Sequence, residues 1–268
     1  MRKISCLLVM ILFLSIFTLG EEKFALELVK IKDKVEMVRI LTKNLRYQAI
    51  PQALRLGRYL GYFAAQDFTH KKEMIMKEFK EIQVIKDTPK QKGVKVIYYL
   101  QDQNNQRVSD YLLEVNLEVR KEYPCLAMCS RLRYTGEGEA LTGLNWGFSD
   151  NFRYYVVPEG GKVKAFKIER KGLLSGKATK IGKGAYPWIW FTDGKGKGLG
   201  MITDGMLVAG IQEGELQIGV SDAPPKKKLT SGESMEVVFI FLPTEKGYKP
   251  IKEIYSRARS IRWEVDQW

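Results

Sequence analysis

From Phe24 onward, apolar and polar residues alternate along the chain in short runs that turn residues separate. Alternation with a period of two is typical of strands that bury one face. The first two such runs, 24–32 and 35–42, are joined by the polar residues 32–34. These runs predict an antiparallel hairpin at the start of the domain.

The same pattern continues through most of the chain. An exception is the stretch 51–68, where Gly57 and Gly61 interrupt an aromatic-rich segment, so that loop with some irregular strand is predicted there. Further strands are predicted at residues 75–86, 93–101, 108–122, 126–134, 140–148, 153–157, 188–192, 198–203, 207–212, 216–220 and 235–242. So many strands without an internal repeat or linker predict one all-β domain over 21–268, a large antiparallel β-sandwich.

One helix is predicted, close to the C-terminus. It begins at Pro250, and its apolar residues recur at helical spacing while basic and acidic residues occupy the other side. The apolar positions are Ile251, Ile254, Tyr255, Ala258 and Ile261. An amphipathic helix of this kind is expected to pack across the sandwich or cap an open end.

The first twenty residues have a different composition. Arg2 and Lys3 are basic, residues 4–17 are almost wholly apolar, and Gly20 is a small residue at the end of the segment. A secretory signal peptide has three parts, which are a basic start, a short apolar run and a small residue before the cleavage site. We therefore expect residues 1–20 to be removed and the protein to be secreted, periplasmic or part of the cell envelope, without a membrane span once the signal is cleaved.

Composition and charge narrow the classes of partner and cofactor. The chain is 45% hydrophobic, which is enough for a packed core, and its formal net charge is +13. A basic protein outside the cytoplasm is expected to attract anionic partners such as acidic polysaccharide, and nucleic acid is not expected as its physiological partner. ATP and nicotinamide cofactors are scarce in that compartment, so no cofactor is expected.

The cysteines after the leader are Cys125 and Cys129. Positions four apart on a strand are separated by about 13 Å, whereas a disulfide needs Cα atoms within about 7 Å. The sequence therefore predicts two small buried side chains and no disulfide between them. With a single histidine, zinc sites of the two-histidine type are excluded, and no metal site is predicted.

Residues 112–141 contain a long strand, its successor and the turn Thr135-Gly136-Glu137-Gly138, and residues 187–200 end in Gly198-Leu199-Gly200. Both stretches resemble the galactose-mutarotase-like β-supersandwich family, over about residues 75–242. The resemblance implies a carbohydrate-related role, as a sugar epimerase, an accessory domain of a lyase or glycosidase, or a binding protein. Mutarotases of this family use a pair of histidines with an acidic base, and this chain has only His70, so epimerase activity is not expected.

The densest candidate site lies between Gly160 and Pro187, where eight basic residues accompany one acid. Three aromatic residues at alternate positions, Tyr186, Trp188 and Trp190, come directly after the basic residues and are predicted to share one face of a strand. Aromatic faces spaced in this way stack on successive sugar rings, while cationic side chains bind carboxylate or sulfate groups. The basic residues assigned to this role are Arg170, Lys180 and Lys183. The competing interpretation is an aromatic strand facing the core beside a solvated edge loop.

Two weaker constellations would make the protein an enzyme. Asp193 and Asp204 lie on or beside neighbouring predicted strands, and a glycosidase needs two carboxyl groups at a defined separation. His70, with Arg58 and Tyr62 upstream, is the candidate base of a polysaccharide lyase that neutralises a carboxylate and removes the adjacent proton.

The sequence therefore predicts an extracytoplasmic carbohydrate-recognition protein that favours acidic polysaccharides, and it favours a binding protein over an enzyme. A polysaccharide lyase or glycoside hydrolase is the alternative, and a non-catalytic envelope protein that docks a protein partner is the second alternative.

Overall fold

The computed structural model describes residues 24–43, 45–123, 125–148, 152–168, 179–180, 186–212, 215–220 and 226–258. Its first nine strands run in chain order, and each pairs antiparallel with the next. They are β1 (Ala25–Ile31), β2 (Lys34–Leu41), β3 (Arg46–Ile50), β4 (Ala53–Leu56), β5 (Tyr59–Asp67), β6 (Lys72–Asp87), β7 (Gln91–Asp102), β8 (Arg107–Arg120) and β9 (Leu126–Tyr134).

The second half of the chain adds nine strands and a helix. They are β10 (Glu139–Phe148), β11 (Tyr154–Glu159), β12 (Lys162–Lys167), β13 (Thr179–Lys180), β14 (Tyr186–Thr192), β15 (Gly198–Gln212), β16 (Glu215–Val220), β17 (Lys227–Thr230), β18 (Ser234–Thr244) and α1 (Lys249–Ala258). The fold is an all-β antiparallel sandwich with a short C-terminal helix, as the sequence predicts.

The strand pairings close into a ring. Strand β9 pairs with β18, β18 with the first half of β15, and the second half of β15 with β16. Strand β16 pairs with β10, which returns to β5. Because β15 pairs with β14 and β18 in its first half and with β16 in its second, this strand passes from one layer of the sandwich to the other.

The main core lies between the layers. It is built from alternate residues of each strand, among them Leu113, Val115 and Leu117 of β8, each no more than 2% exposed. A second apolar cluster lies on the opposite, outer face of the sheet formed by β11, β14, β15, β18 and β9. The helix covers this outer cluster with Ile251 and Ile254.

The first hairpin forms where the sequence predicts it. Its turn residues Lys32 and Asp33 have positive φ angles of 48° and 65°, which favours the twist of a two-residue hairpin turn. The prediction for residues 51–68 is wrong, because this stretch forms the regular strands β4 and β5. Gly57, with φ +62°, makes the turn between them, and Gly61 lies within β5 where a Cβ would approach the Phe148 ring to 2.9 Å.

Cys125 and Cys129 are free and buried, in agreement with the sequence-based expectation. Burial raises the pKa of the Cys125 thiol to about 12, with the nearby Glu118 carboxylate as a further cause. Both side chains belong to the outer apolar cluster. They therefore contribute to packing as small apolar groups.

Candidate functional site

The predicted aromatic platform is buried. Tyr186, Trp188 and Trp190 are 6%, 3% and 6% exposed, so their ring faces are not open to a sugar in this conformation. The register of β14 against β15 shifts between Tyr186 and Trp188. As a result Tyr186 points into the main core, while Trp188 and Trp190 lie in the outer cluster, so the three rings do not share one face.

The end of β18 and the short segment between it and the helix cover the two indoles. Tyr248, just before the helix, stacks on Trp188, and its ring centroid lies 6.3 Å from that of Trp190. The Nε1–H of Trp190 donates to Thr244 Oγ1 at 2.9 Å.

The glycines of Gly198-Leu199-Gly200 also have a packing role here. A Cβ on Gly198 would lie 2.3 Å from Trp190 Nε1, and one on Gly200 would lie 2.3 Å from Ile251 Cδ1. Both glycines therefore let side chains approach the sheet closely. The packing of Trp190 and of the helix residue Ile251 explains why glycine stands at these two positions.

The predicted cationic partners fall largely outside the described residues. Arg170 and Lys183 lie outside them, and for Lys180 the structure describes the backbone alone, in β13. The basic residues that it does place are Lys162, Lys164 and Lys167, all exposed on β12. Strand β12 pairs with β11, and Lys164 forms an ion pair of 2.8 Å with Glu159.

The aspartates of the glycosidase hypothesis do not come together along the sheet. Asp193 lies in the turn that precedes Gly198, and Asp204 lies further along β15 than Ile202. Gly198 and Ile202 are four residues apart, which is about 13 Å of strand, so the strand positions of Asp193 and Asp204 are separated by more than this. Paired glycosidase carboxyls lie at most about 9.5 Å apart.

Asp193 has a structural partner instead. The backbone N–H of Lys195 and the guanidinium of Arg58, whose Nη2 is 3.0 Å from Asp193 Oδ2, hold the pKa of this carboxyl below its ordinary value. Arg58 precedes β5 and His70 follows it, so about 30 Å of extended strand separates them. Arg58 therefore lies too far from His70 to act beside it, as the lyase hypothesis requires.

His70 is nevertheless well positioned. Its Nδ1 lies 2.8 Å from Oδ2 of Asp67, a carboxylate that is 1% exposed. Sequence reasoning singled out His70 without recognising Asp67, although the spacing Asp67-Phe68-Thr69-His70 at a strand end is typical of a side chain that caps a turn.

A polar cluster that the sequence analysis missed lies on the outer face of β7, β8, β9 and β18. In β8, Glu114, Asn116 and Glu118 alternate with the core residues and point to this face. Glu114, Arg131 and Glu236 are cross-strand partners in one row of β8, β9 and β18. We define the outer-face polar cluster as Lys95, Glu114, Asn116, Arg131 and Glu236.

Ion pairs order this cluster. Lys95 Nζ lies 3.1 Å from Glu114 Oε2, and Arg131 Nη1 lies 3.7 Å from the same oxygen. Arg131 Nε donates to Glu236 Oε2 at 2.7 Å, and this contact raises the pKa of Arg131 against the lowering effect of its burial. The side chains of Lys95, Arg131 and Glu236 are 21%, 26% and 37% exposed, so the ordered charges remain accessible from solvent.

Asn116 adds an unsatisfied acceptor to this cluster. It is 3% exposed, and its Oδ1 has no hydrogen-bond partner among the residues that the structure describes. A buried acceptor without a partner is uncommon in folded proteins. In the same described part of the chain, no group of three or more His, Cys, Asp or Glu side chains is arranged to hold a metal ion. No described helix is long and apolar enough to cross a bilayer.

No protein-family profile matches the sequence, and no curated protein sequence matches it. Solved structures with the same fold do exist. The GH36 α-galactosidase AgaB from Geobacillus stearothermophilus has a TM-score of 0.59 at 10% identity, covering 91% of this chain and 44% of that one. An AgaA α-galactosidase variant from the same organism in complex with raffinose has a TM-score of 0.56 at 11% identity, covering 84% of this chain and 43% of that one.

An α-mannosidase from Enterococcus faecalis V583 has a TM-score of 0.54 at 9% identity, covering 90% of this chain and 31% of that one. This chain therefore corresponds to less than half the length of each of these enzymes. At such identities the likeness shows a shared fold, which occurs as part of larger glycoside hydrolases.

Proposed function

We propose that this protein recognises carbohydrate outside the cytoplasm and that the outer-face polar cluster is the surface that contacts the sugar. The observation that carries the proposal is the set of ordered, partly exposed charges of Lys95, Arg131 and Glu236 on neighbouring strands of a sandwich. Sugar hydroxyls need donors and acceptors at fixed positions, and strands hold such groups more rigidly than loops. The fold shared with parts of glycoside hydrolases supports carbohydrate as the ligand class.

The location outside the cytoplasm rests on the basic and apolar pattern of residues 1–20. Binding without catalysis is the preferred form of the proposal, because the chain matches less than half of each similar enzyme and its candidate aspartates lie at separate positions along the sheet. The galactose-mutarotase-like supersandwich remains the family resemblance that fits an all-β sandwich of this kind.

A preference for acidic polysaccharide is the finer part of the proposal. The outer-face polar cluster contains two cations and two carboxylates, so it suits neutral hydroxyl groups. Anion preference would come from Lys162, Lys164 and Lys167 on β12 and from the net charge of +13.

A binding screen tests the proposal. Neutral galactose- and mannose-containing oligosaccharides and uronate polymers are titrated into the protein by calorimetry at two salt concentrations. Arg131→Gln is expected to weaken binding at least about tenfold, because it removes the hydrogen bond that orders Glu236 and the ion pair with Glu114. Arg55→Gln, on the exposed side of β4, is the charge-matched control and is expected to bind as the wild type does.

The outcomes separate the parts of the proposal. No binding by the wild type would contradict carbohydrate recognition, and equal binding by Arg131→Gln would move the site away from the polar cluster. Replacing the three β12 lysines by Gln is expected to weaken uronate binding and its salt dependence while neutral sugars bind unchanged. Release of cut oligosaccharides by the wild type would instead favour the hydrolase or lyase alternative.

A further inference from the structure

Tyr154, the first residue of β11, places an exposed aromatic ring on the outer face of the sheet. Its neighbour Tyr155 belongs to the main core and Val156 to the outer apolar cluster, so the alternation along β11 points Tyr154 outward. The Tyr154 side chain is 38% exposed, whereas Trp188 and Trp190 are covered. An aromatic ring therefore remains available on this face for stacking against a ligand.

The ring rests against an ordered turn, residues 193–197, which joins β14 to β15. A Cβ at Gly194 would lie 2.9 Å from Tyr154 Cε2, so the ring packs directly on the glycine backbone. Thr192 Oγ1 accepts the Gly194 N–H at 3.1 Å and donates to Lys197 O at 2.6 Å. These hydrogen bonds hold the turn, and the turn in turn fixes one edge of the ring.

Two lysine side chains start from positions beside this ring. Lys167 is directly opposite Tyr154 in the pairing of β12 with β11, which places their Cβ atoms about 5 Å apart on the same face. Lys195 follows Gly194 in the turn, and its backbone N–H donates to Asp193 Oδ1 at 2.9 Å. The Cα of Lys195 therefore lies about 3.8 Å from that of the glycine on which the ring packs. Because each lysine has a flexible four-carbon stem, both ammonium groups can reach a molecule that lies on the Tyr154 ring.

Both lysines carry a charge that the surrounding protein does not neutralise. Lys167 and Lys195 are exposed, and neither has a carboxylate partner among the described residues. The described acids of this region are already engaged, in the ion pairs Asp193–Arg58, Glu245–Lys197 and Glu159–Lys164. The surface beside the ring is therefore positively charged and complements an anionic group.

We propose that Tyr154, Lys167 and Lys195 form a subsite for one uronate unit of an acidic polysaccharide. The sugar ring stacks on the exposed face of the Tyr154 ring, and its carboxylate accepts charge-assisted hydrogen bonds from the two ammonium groups. Strands β14 and β15 lie between β11 and β18, so the subsite is separate from the outer-face polar cluster. The choice of a sugar as the ligand rests on the proposed function, whereas its negative charge follows from the unpaired lysines.

Trigalacturonate is the probe, and calorimetric titrations at two salt concentrations compare the wild type with variants of these exposed residues. Tyr154→Ala is expected to weaken binding about tenfold, because the stacking contact is lost. Lys167→Gln and Lys195→Gln are each expected to weaken binding about threefold and to reduce its salt dependence. Tyr154→Phe keeps the ring and is expected to bind as the wild type does. Lys121→Gln, in the exposed turn after β8, is the charge-matched control and is expected to leave the affinity unchanged.

Neutral galactose-containing oligosaccharides provide the second measurement. In the proposed function they contact the outer-face polar cluster, so Tyr154→Ala is expected to bind them as the wild type does. If the wild type does not bind trigalacturonate, or Tyr154→Ala binds it equally well, the subsite is contradicted and sugar recognition at the outer-face polar cluster is unaffected. If Tyr154→Ala loses trigalacturonate binding and no neutral sugar binds the wild type, the subsite stands and the outer-face polar cluster is not a sugar-binding surface.

Discussion

The indole ring of Trp188 lies parallel to the phenol ring of Tyr248, with centroids 6.2 Å apart and an angle of 11° between the planes. The surface that the sequence assigns to a sugar is therefore occupied by the protein's own aromatic ring. The segment that leads into the C-terminal helix uses the same stacking geometry that a bound sugar would need.

Replacing the two indoles is expected to destabilise the protein. Trp188→Ala and Trp190→Ala each remove a ring that is at most 6% exposed, and truncating a buried Trp costs about 3–5 kcal/mol. The free energy of unfolding, measured by urea denaturation, is expected to fall by this amount for each variant. Tyr154→Ala, which removes a ring that is 38% exposed, is the control and is expected to cost less than about 1 kcal/mol. Equal, small losses for all three variants would contradict the buried position of the indoles.

Gly200 and Ile251 are expected to be energetically coupled. A Cβ at residue 200 would overlap Ile251 Cδ1 and Cγ1, so Gly200→Ala is expected to cost about 1–3 kcal/mol by overpacking. Ile251→Ala removes a fully buried side chain and is expected to cost about 2–5 kcal/mol. The double variant is expected to cost less than the sum, because the second substitution creates the space that the first one needs. A double-mutant cycle by denaturation measures the difference, and strict additivity would rule out this contact.

The stability contributed by Asp67 is expected to depend on pH. Its pKa is lower in the folded protein than in the unfolded chain, where an Asp titrates near about 3.9. The contribution is therefore complete above that value and is lost as the pH falls through the folded-state pKa. Asp67→Asn is expected to lower the free energy of unfolding by about 2 kcal/mol at neutral pH, and the gap to the wild type should narrow below about pH 4.

Asp110→Asn provides the control for this pH series. Asp110 has a side chain that is 46% exposed and lies 3.9 Å from Lys72, so its substitution is expected to change stability by less than about 0.5 kcal/mol. A gap between wild type and Asp67→Asn that stays constant down to about pH 2 would contradict an ionised, hydrogen-bonded Asp67.

Cys125 and Cys129 are expected to be inert in the native protein. The pKa of the Cys125 thiol, about 12, leaves almost no thiolate at pH 8, and both side chains are buried. A thiol reagent such as DTNB is expected to modify neither residue until urea unfolds the chain, and then to modify both. Rapid modification of the folded protein would show that Cys125 and Cys129 are more accessible than this packing allows.

The alternation of apolar and polar residues predicted the fold class, because a strand with one buried face needs apolar residues at every second position. It did not predict β4 and β5, since the role of a glycine depends on distant neighbours. Gly61 is required by the ring of Phe148, which belongs to β10, and nothing within residues 51–68 shows this contact.

The candidate sites depended even more on contacts between distant residues. Trp188 and Trp190 are buried because a helix more than fifty residues later in the sequence docks on them. Asp67 accepts a hydrogen bond from Tyr111, which is 44 residues away. The outer-face polar cluster requires the register of β7, β8, β9 and β18, and no local pattern in the sequence reports it.

The order in which the ring of strands closes has a consequence for biosynthesis. Strands β1 to β9 pair with their neighbours in sequence, so this half can assemble as it leaves the ribosome. The strands that close the ring, β10 to β18, are made later, and β9 gains its second partner only when β18 (Ser234–Thr244) has been made. A chain halted before that point would expose a broad apolar sheet face and an unpaired edge, the features that promote aggregation. Nonsense mutations late in the gene should therefore be harmful well beyond the few residues they remove.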